Sequence, residues 1–428
     1  MTMIIDRINQ PSRMGIQKMN VPQAKKYTLD NGIEVYAINA GFQELVKVEL
    51  LFNNIDFDPN KPLLNSATNR MMAEGTSKYS AQQIADMIDY YGSFYETDEN
   101  SDFCSLIVYS LTKYLNDTLP YVSALLEEPV FPEKELGIFK QNNKQRLIVD
   151  NEKVGSIARR KFGEIIFGKN HPYGFYIQPE NYDSLTSDDL KAFHQKKYSP
   201  SNCMIIVSGL VSDDTIKILN KFFGQRKASG DKIKTIYPKF ETSSEKKHYI
   251  EKDGAIQSAI RIGMPFFNRK HPDYAGTAVM NTLFGGYFGS RLMSNIREDK
   301  GYTYGIGSVI VSMKQDGYYF ISTEVGADVT NDAIKEIYHE VDIMRNELVE
   351  EDELEMVKNY MLGTFLKGID GAFHLAERFK SIYLSELDYS YYERYVEKLR
   401  TIGPDEILEL SRKYLDPAGF LEMVVGRK

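Results

Sequence analysis

The chain of 428 residues has only two cysteines, Cys104 and Cys203, too few for a disulfide scaffold. Each sits in an apolar, β-rich run (Phe103 to Leu111, and Cys203 to Leu210), where a thiol behaves as a small apolar side chain, and no motif supports a thiol nucleophile. No stretch approaches the 18 or so uninterrupted apolar residues of a membrane-spanning helix, so no membrane association is expected. Basic excess is also missing: the formal net charge is −8, which gives no electrostatic footprint for nucleic acid. The local clusters Arg159-Arg160-Lys161 and Lys196-Lys197 read as solvated helix faces. Residues 1–10 have no charged start, apolar core and small-residue cleavage site, so the expected location is cytoplasmic.

What is present is the composition of a globular protein, 42% hydrophobic and 26% charged, at a length that suits two domains of about 200 residues. An internal repeat supports that division. Phe193-His-Gln-Lys-Lys-Tyr-Ser-Pro-Ser-Asn-Cys-Met-Ile-Ile-Val-Ser-Gly209 resembles Leu410-Ser-Arg-Lys-Tyr-Leu-Asp-Pro-Ala-Gly-Phe-Leu-Glu-Met-Val-Val-Gly426. In both, a helix carrying Lys-Tyr stops near a proline, and an apolar run follows and ends on glycine. Tyr414 follows Tyr198 by 216 residues and Gly426 follows Gly209 by 217, close to half the chain, which points to duplication.

Within each half, strand-like runs come first and helices later. Gly32 to Asn39, Val46 to Phe52 and Phe103 to Leu111 read as strands, and Ser80 as the N-cap of a helix stopped by Gly92. Helical stretches follow over Lys113 to Glu127 and Glu133 to Val149. The second half offers strands at Ala255 to Met264, Tyr302 to Val311 and Tyr318 to Val325, then helices from Asp328 to Tyr392. The expected fold is α+β: two homologous domains related by duplication, each a largely antiparallel sheet with helices packed on one face. The boundaries expected are residues 1–224, a linker over 225–243 that is rich in Lys, Ser, Gly and Asp, and residues 244–428.

Several segments, in order, resemble the pitrilysin/insulinase family of zinc peptidases, in particular its members like mitochondrial processing peptidase. They are Tyr27-Thr-Leu-Asp-Asn-Gly-Ile-Glu-Val-Tyr36, Phe167-Gly-Lys-Asn-His-Pro-Tyr-Gly174, and Asn281-Thr-Leu-Phe-Gly-Gly-Tyr-Phe-Gly-Ser-Arg-Leu292 with Ile296-Arg-Glu-Asp-Lys-Gly-Tyr-Thr-Tyr304. The resemblance runs from about Lys25 to the C-terminus and implies two homologous α/β domains forming half of a peptidase chamber.

Active members carry H-x-x-E-H on a helix, in which two histidines bind Zn²⁺ and the glutamate acts as general base. The matching positions here are Ser66-Ala-Thr-Asn-Arg70. Serine is a poor zinc ligand, Asn69 cannot act as a base, and Arg70 puts a fixed positive charge where the cation would sit. The family's third ligand, a glutamate, would fall near Gln145-Arg146, which holds no carboxylate. The six histidines cannot rebuild the pair, since no two are closer than 23 residues. His171 and His374 read as structural or surface residues. The chain is therefore expected to bind no cofactor of its own and to have no independent peptidase activity.

The resemblance also implies that an arginine and a tyrosine seven residues apart contact peptide substrate near the scissile bond; these are Arg297 and Tyr304 here. A guanidinium can hold peptide carbonyls and a phenol can donate to a developing oxyanion. Outside this motif the same residues would read as an ion pair with Glu298 or Asp299 and as a strand filler. Tyr302 is a weaker companion, expected on the same sheet face as Tyr304. Gly285 and Gly286, with Gly289, match a glycine-rich turn that helps admit substrate, and no phosphate-binding glycine pattern accompanies them.

These features together suggest a catalytically inactive, zinc-less subunit that lends substrate-binding residues to a zinc-bearing homologue. The partners implied are that homologue, as a heterodimer with zinc on the partner, and a peptide substrate; a homodimer stays open. The alternative is a purely structural or interaction protein of the same fold. An autonomous peptidase with an unrecognised site has the least support.

Overall fold

The computed structural model describes residues 21–54, 57–227 and 237–427. Two sheets form its framework. The first contains β1 (Lys25–Thr28), β2 (Glu34–Asn39), β3 (Leu45–Asn53), β4 (Phe94–Glu99), β5 (Phe103–Leu111) and β6 (Cys203–Gly209). The second contains β7 (Lys247–Glu251), β8 (Gln257–Phe266), β9 (Thr303–Ser312), β10 (Gly317–Gly326) and β11 (Leu421–Gly426). Their orders are β1-β2-β6-β3-β5-β4 and β7-β11-β8-β10-β9. With β1 set aside, both sheets follow one pattern. The last strand of each inserts beside the first, as the parallel pairs β2–β6 and β7–β11, and all other pairs are antiparallel. The expected α+β class, with its two similar sheets, is the class observed.

The repeat read from the sequence has a physical basis. Tyr198 caps the helix Ser187–Lys197 before β6, and Tyr414 ends the helix Pro404–Tyr414 before β11. Gly209 and Gly426 close those strands at φ of 119° and 146°. A Cβ on Gly209 would meet the Leu45 carbonyl at 2.1 Å, and one on Gly426 would meet Ser258 Cα at 2.6 Å. At both places the backbone starting the neighbouring strand passes too close for any side chain.

Helices of the same half cover one face of each sheet, as expected. The other face is covered by a helix from the opposite half. Val154–Phe167 lies on β8 and β11, where Ala158, Phe162 and Ile166 pack with Ala259, Leu421, Met423 and Val425. Ala372–Leu384 lies on β2 and β6, where Leu375, Ala376 and Phe379 pack with Ile38, Leu51, Met204 and Ile206. This exchange explains why β6 and β11 are buried along nearly their whole length.

Residues 225–243 do not behave as a patternless linker where they are described. The Arg226 guanidinium donates to Tyr198 O at 2.8 Å. Phe240 packs edge-on against Phe167, Glu241 N donates to Phe167 O, and Ser243 N donates to Ile165 O. Residues 228–236 of that stretch, and residues 1–10 read for a leader, lie outside the described residues.

Because a helix of the first half forms part of the second half's core, the halves should unfold together. Phe162→Ala is expected to cost about 3–5 kcal/mol, with a urea transition that stays single and coincident by near- and far-ultraviolet circular dichroism. Two separate transitions would show that the exchanged helices do not couple the halves.

Candidate functional site

The degenerate motif lies on the helix Leu64–Met71, whose buried side includes Ala67, Thr68, Asn69 and Met71. Each altered residue is engaged in structure. Ser66 Oγ donates back to Leu63 O at 3.2 Å. Asn69 is wholly buried; its amide donates to Asp98 O at 3.0 Å and its carbonyl accepts from Tyr198 OH at 2.9 Å. Arg70 is exposed, with Nε 3.9 Å from Glu99 Oε1. Arg146, at the place expected for the third ligand, lies on the helix Glu133–Asp150. Burial raises the Tyr182 phenol above its usual range, with Arg70 opposing, Glu99 adding and Arg146 opposing.

A cleft of about 280 Å³ remains beside the helix, lined by Asn65, Ser66, Glu99 and Tyr237 among others. Its donor set does not fit zinc. It offers one carboxylate, hydroxyls and amides, and that carboxylate, Glu99, is approached by the Arg70 guanidinium. Among the described residues no group of three His, Cys, Asp or Glu side chains could hold a metal. Burial raises the Glu99 carboxyl above its usual range, opposed by Arg70 and Lys197.

Lys197 corrects the sequence reading, which placed it on a solvated face. It is completely buried, and its ammonium donates to Asn54 Oδ1 (2.8 Å), Asn65 Oδ1 (2.7 Å) and Cys104 Sγ (2.7 Å). Burial pushes its pKa down, with Cys104 and then Glu99 opposing. One amine thus ties the motif helix to β5, to the end of β3 and to the helix Ser187–Lys197. The signal was present: Leu190, Phe193, His194 and Lys197 follow the i, i+3, i+4, i+7 spacing of a buried stripe. The Arg159-Arg160-Lys161 cluster is likewise engaged in part, since Arg160 and Lys161 lie over the Tyr176 ring.

In the second half, Arg297 lies in a π-helical turn, Met293–Asp299, and stacks its guanidinium 4.6 Å from the centre of the exposed Phe288 ring. It also approaches Glu298 at 3.6 Å, so the ion-pair reading holds in a weak form. Tyr304, in β9, is 96% exposed and contributes nothing to the core. It borders a cleft of about 410 Å³ with Arg261, Thr303, Thr323 and Glu324. Tyr302 does not join it. That residue precedes β9 and packs against the second half's core.

Gly285 and Gly286 close a second π-helical turn, Thr282–Gly286. Gly285 is buried, and a Cβ there would meet Ser308 Oγ at 2.5 Å and Ser308 N at 2.7 Å, so β9 packing accounts for that glycine. Gly286 is exposed, as is Gly289 beyond the turn. Of the four substrate-binding candidates, Arg297, Tyr304 and Gly286 therefore face solvent at least in part.

His171 is structural. It is buried in an aromatic cluster with Phe167, Tyr173, Tyr237 and Phe240, and its Nδ1 accepts from Tyr173 N at 3.1 Å. His374 lies on an exposed helix surface, as expected, with Nδ1 2.7 Å from Asp370 O.

Similarity to known proteins extends over both halves of the chain. Residues 184–361 match the family model described as the peptidase M16 inactive domain. The uncharacterized zinc protease YmxG of Bacillus subtilis is 24% identical over 351 residues, covering 81% of this chain and 84% of that protein. The non-peptidase homolog YmxG of Helicobacter pylori is 25% identical over 255 residues, 58% of each chain. The crystal structure of a peptidase M16 inactive domain from Pseudomonas fluorescens superposes with a TM-score of 0.85 at 20% identity, covering 95% of this chain and 98% of that one. No helix among the described residues is long and apolar enough to cross a membrane.

Elemental analysis of the purified chain should find no stoichiometric zinc, and a fluorogenic peptide assay should find no chelator-sensitive turnover. One zinc per chain would overturn the assignment of Ser66, Asn69 and Arg70. A second prediction concerns acid stability. Burial pushes His194 down to about 4, with Arg226 adding to the effect. Its unfolded value is near 6.5, so the unfolded chain binds the extra proton between those two values. Stability from this group is complete above about pH 6.5 and is lost as pH falls toward 4, by up to about 3 kcal/mol. Urea titrations of the parent and of His194→Gln at pH 7.5 and 4.5 should show a shallower loss in the variant.

Proposed function

Because the chain is a homologue of the M16 peptidases, the pitrilysin/insulinase family, in a form without the metal motif, we propose that it serves as the zinc-less subunit of a two-chain peptidase. In this reading a zinc-bearing homologue supplies the metal, and this chain supplies Tyr304 and Arg297, with the exposed Gly286 shaping the approach of the peptide.

The observation that carries the reading is an asymmetry between the two halves. At the motif helix, Asn69 has been absorbed into packing and Ser66 bonds its own helix. In the second half, Tyr304 stands almost fully in solvent at the edge of a cleft, without a packing role. A phenol in that position can donate to an oxyanion forming on a bound peptide once a partner encloses it. Arg297 stacks on Phe288 and keeps guanidinium donors for peptide carbonyls. Its π-helical setting, a local geometry frequent at functional sites, adds support. The chemistry assigned to this chain is binding and orientation, and hydrolysis is assigned to the partner's metal.

The test is reconstitution with a zinc-motif homologue from the same organism. Tyr304→Phe should lower turnover by about 10²–10³-fold with assembly unchanged. Arg297→Ala should raise KM, and Arg297→Lys should restore little of the loss, because an ammonium lacks the planar fork. If the Tyr304→Phe/Arg297→Ala double variant assembles and turns over peptide at the parent rate, the chain acts as a purely structural subunit.

A further inference from the structure

A cavity lies in the seam between the two halves, next to the cleft beside the motif helix, with which it shares Asn100 and Ser101. It has a volume of about 560 Å³. The first half contributes Asn53 and the turn from Asn100 to Phe103, and the second contributes Arg269, the end of the β9–β10 hairpin and the helix Ala372–Leu384. Its apolar wall includes Phe103, Met313 and Leu384.

The charges around it do not cancel. Lys380 bonds Glu49 at 2.9 Å and Glu377 at 2.7 Å, and Lys47 bonds the same two carboxylates at 3.2 and 2.6 Å, a neutral foursome. Lys270 is paired with Glu386, the carboxylate that also feels Lys314. Asp102 is occupied by the hydroxyls of Tyr173 and Tyr237 and by Lys314 N. Two cations are left with neutral partners among the described residues. Arg269 donates to the Ser381 and Ser312 hydroxyls, and Lys314 Nζ donates to Asn53 Oδ1 at 3.0 Å. Asp102 offsets one of them, so the cavity holds one uncompensated positive charge beside an apolar wall.

We propose that this cavity binds a small organic carboxylate, its anionic head held by Arg269 and Lys314 and its apolar body laid against Phe103, Met313 and Leu384. One negative charge balances the seam, and a guanidinium fork matches a carboxylate. The volume falls within the range of small-molecule sites, which bury an apolar body and fix it with few polar groups. Since the lining comes from both halves, the ligand would favour the arrangement of the halves seen here. The proposal does not depend on a peptidase role.

Octanoate, octanol and inorganic phosphate serve as probes in isothermal titration calorimetry on the full-length chain. Octanoate is expected to bind saturably at one site per chain, with octanol and phosphate each at least tenfold weaker. Lys314→Met and Arg269→Met should each weaken octanoate by about tenfold to a hundredfold. Lys314→Met is the safer variant, because among the described residues its ammonium donates one hydrogen bond, to Asn53, and an unchanged melting temperature without ligand establishes its fold. Absence of saturable octanoate binding, octanoate affinity unchanged in the folded Lys314→Met variant, or phosphate binding as tightly as octanoate would each overturn the proposal.

Discussion

Each sheet has two faces to take out of water, and the helices of one half cover only one of them. The rest of the architecture follows from how the second face is covered. The helix Val154–Phe167 leaves its own half to lie on β8 and β11, and Ala372–Leu384 makes the reverse crossing onto β2 and β6. The exchange has a polar consequence in β3. Val46, Val48, Leu50 and Phe52 face the first half's own core, whereas Lys47 and Glu49 point to the face that receives the foreign helix. Burial works against the Lys47 charge, yet Glu49 and Glu377 hold its pKa above the usual range. A buried ion network is weak as a source of net stability, because desolvation offsets most of the attraction. Its value is in register: only one placement of the helix Ala372–Leu384 brings Glu377 and Lys380 to Lys47 and Glu49.

A second connection works through Asp102, which accepts from two tyrosine hydroxyls and from the backbone of Lys314. The ring cluster behind it joins Phe167, His171, Tyr173, Tyr237, Phe240 and Tyr318, so residues from three separated stretches meet there. This gives a structural cause for the segment Phe167 to Gly174. A Cβ on Gly174 would meet Gly168 O at 2.5 Å, so the loop must fold back on itself closely enough to bring His171 and Tyr173 under the cluster.

Much of the local structure could be read from the sequence because its causes are local. Ser80 and Gln83 form a capping box, and the apolar, β-rich run Phe103 to Leu111 becomes β5. The helix that carries Ser66, Asn69 and Arg70 was also legible, from the apolar spacing of Leu63, Ala67 and Met71. What escaped was long-range. The stripe Ala158, Phe162 and Ile166 announces an amphipathic helix, but nothing in its spacing says which sheet it covers. Lys197 was read from its charge, although its spacing placed it on the buried stripe. Tyr237 and Phe240 were lost among polar neighbours, since two aromatic residues give no period. The electropositive seam was invisible because Asn53, Arg269 and Lys314 meet only through tertiary packing.

The packing around the helix Leu64–Met71 suits neutral side chains and not a cation. Two histidines and a carboxylate gathered around a cation leave unsatisfied polar groups and unbalanced charge when the cation is absent. Here the buried motif position carries a neutral amide that completes two hydrogen bonds, and the position most open to water carries the guanidinium. The buried cation that remains, Lys197, is surrounded by amide oxygens and a thiol that satisfy its donors. Restoring histidines and glutamate at 66, 69 and 70 would therefore not rebuild a zinc site by itself. Tyr198 would lose the Asn69 carbonyl as its partner, and a glutamate at position 69 would be buried without the hydrogen bonds that the amide makes to Asp98 O and Tyr198 OH. The surroundings that disfavour a cation at this helix are thus set by residues well separated from it in sequence, Asp98, Tyr198 and Lys197 among them.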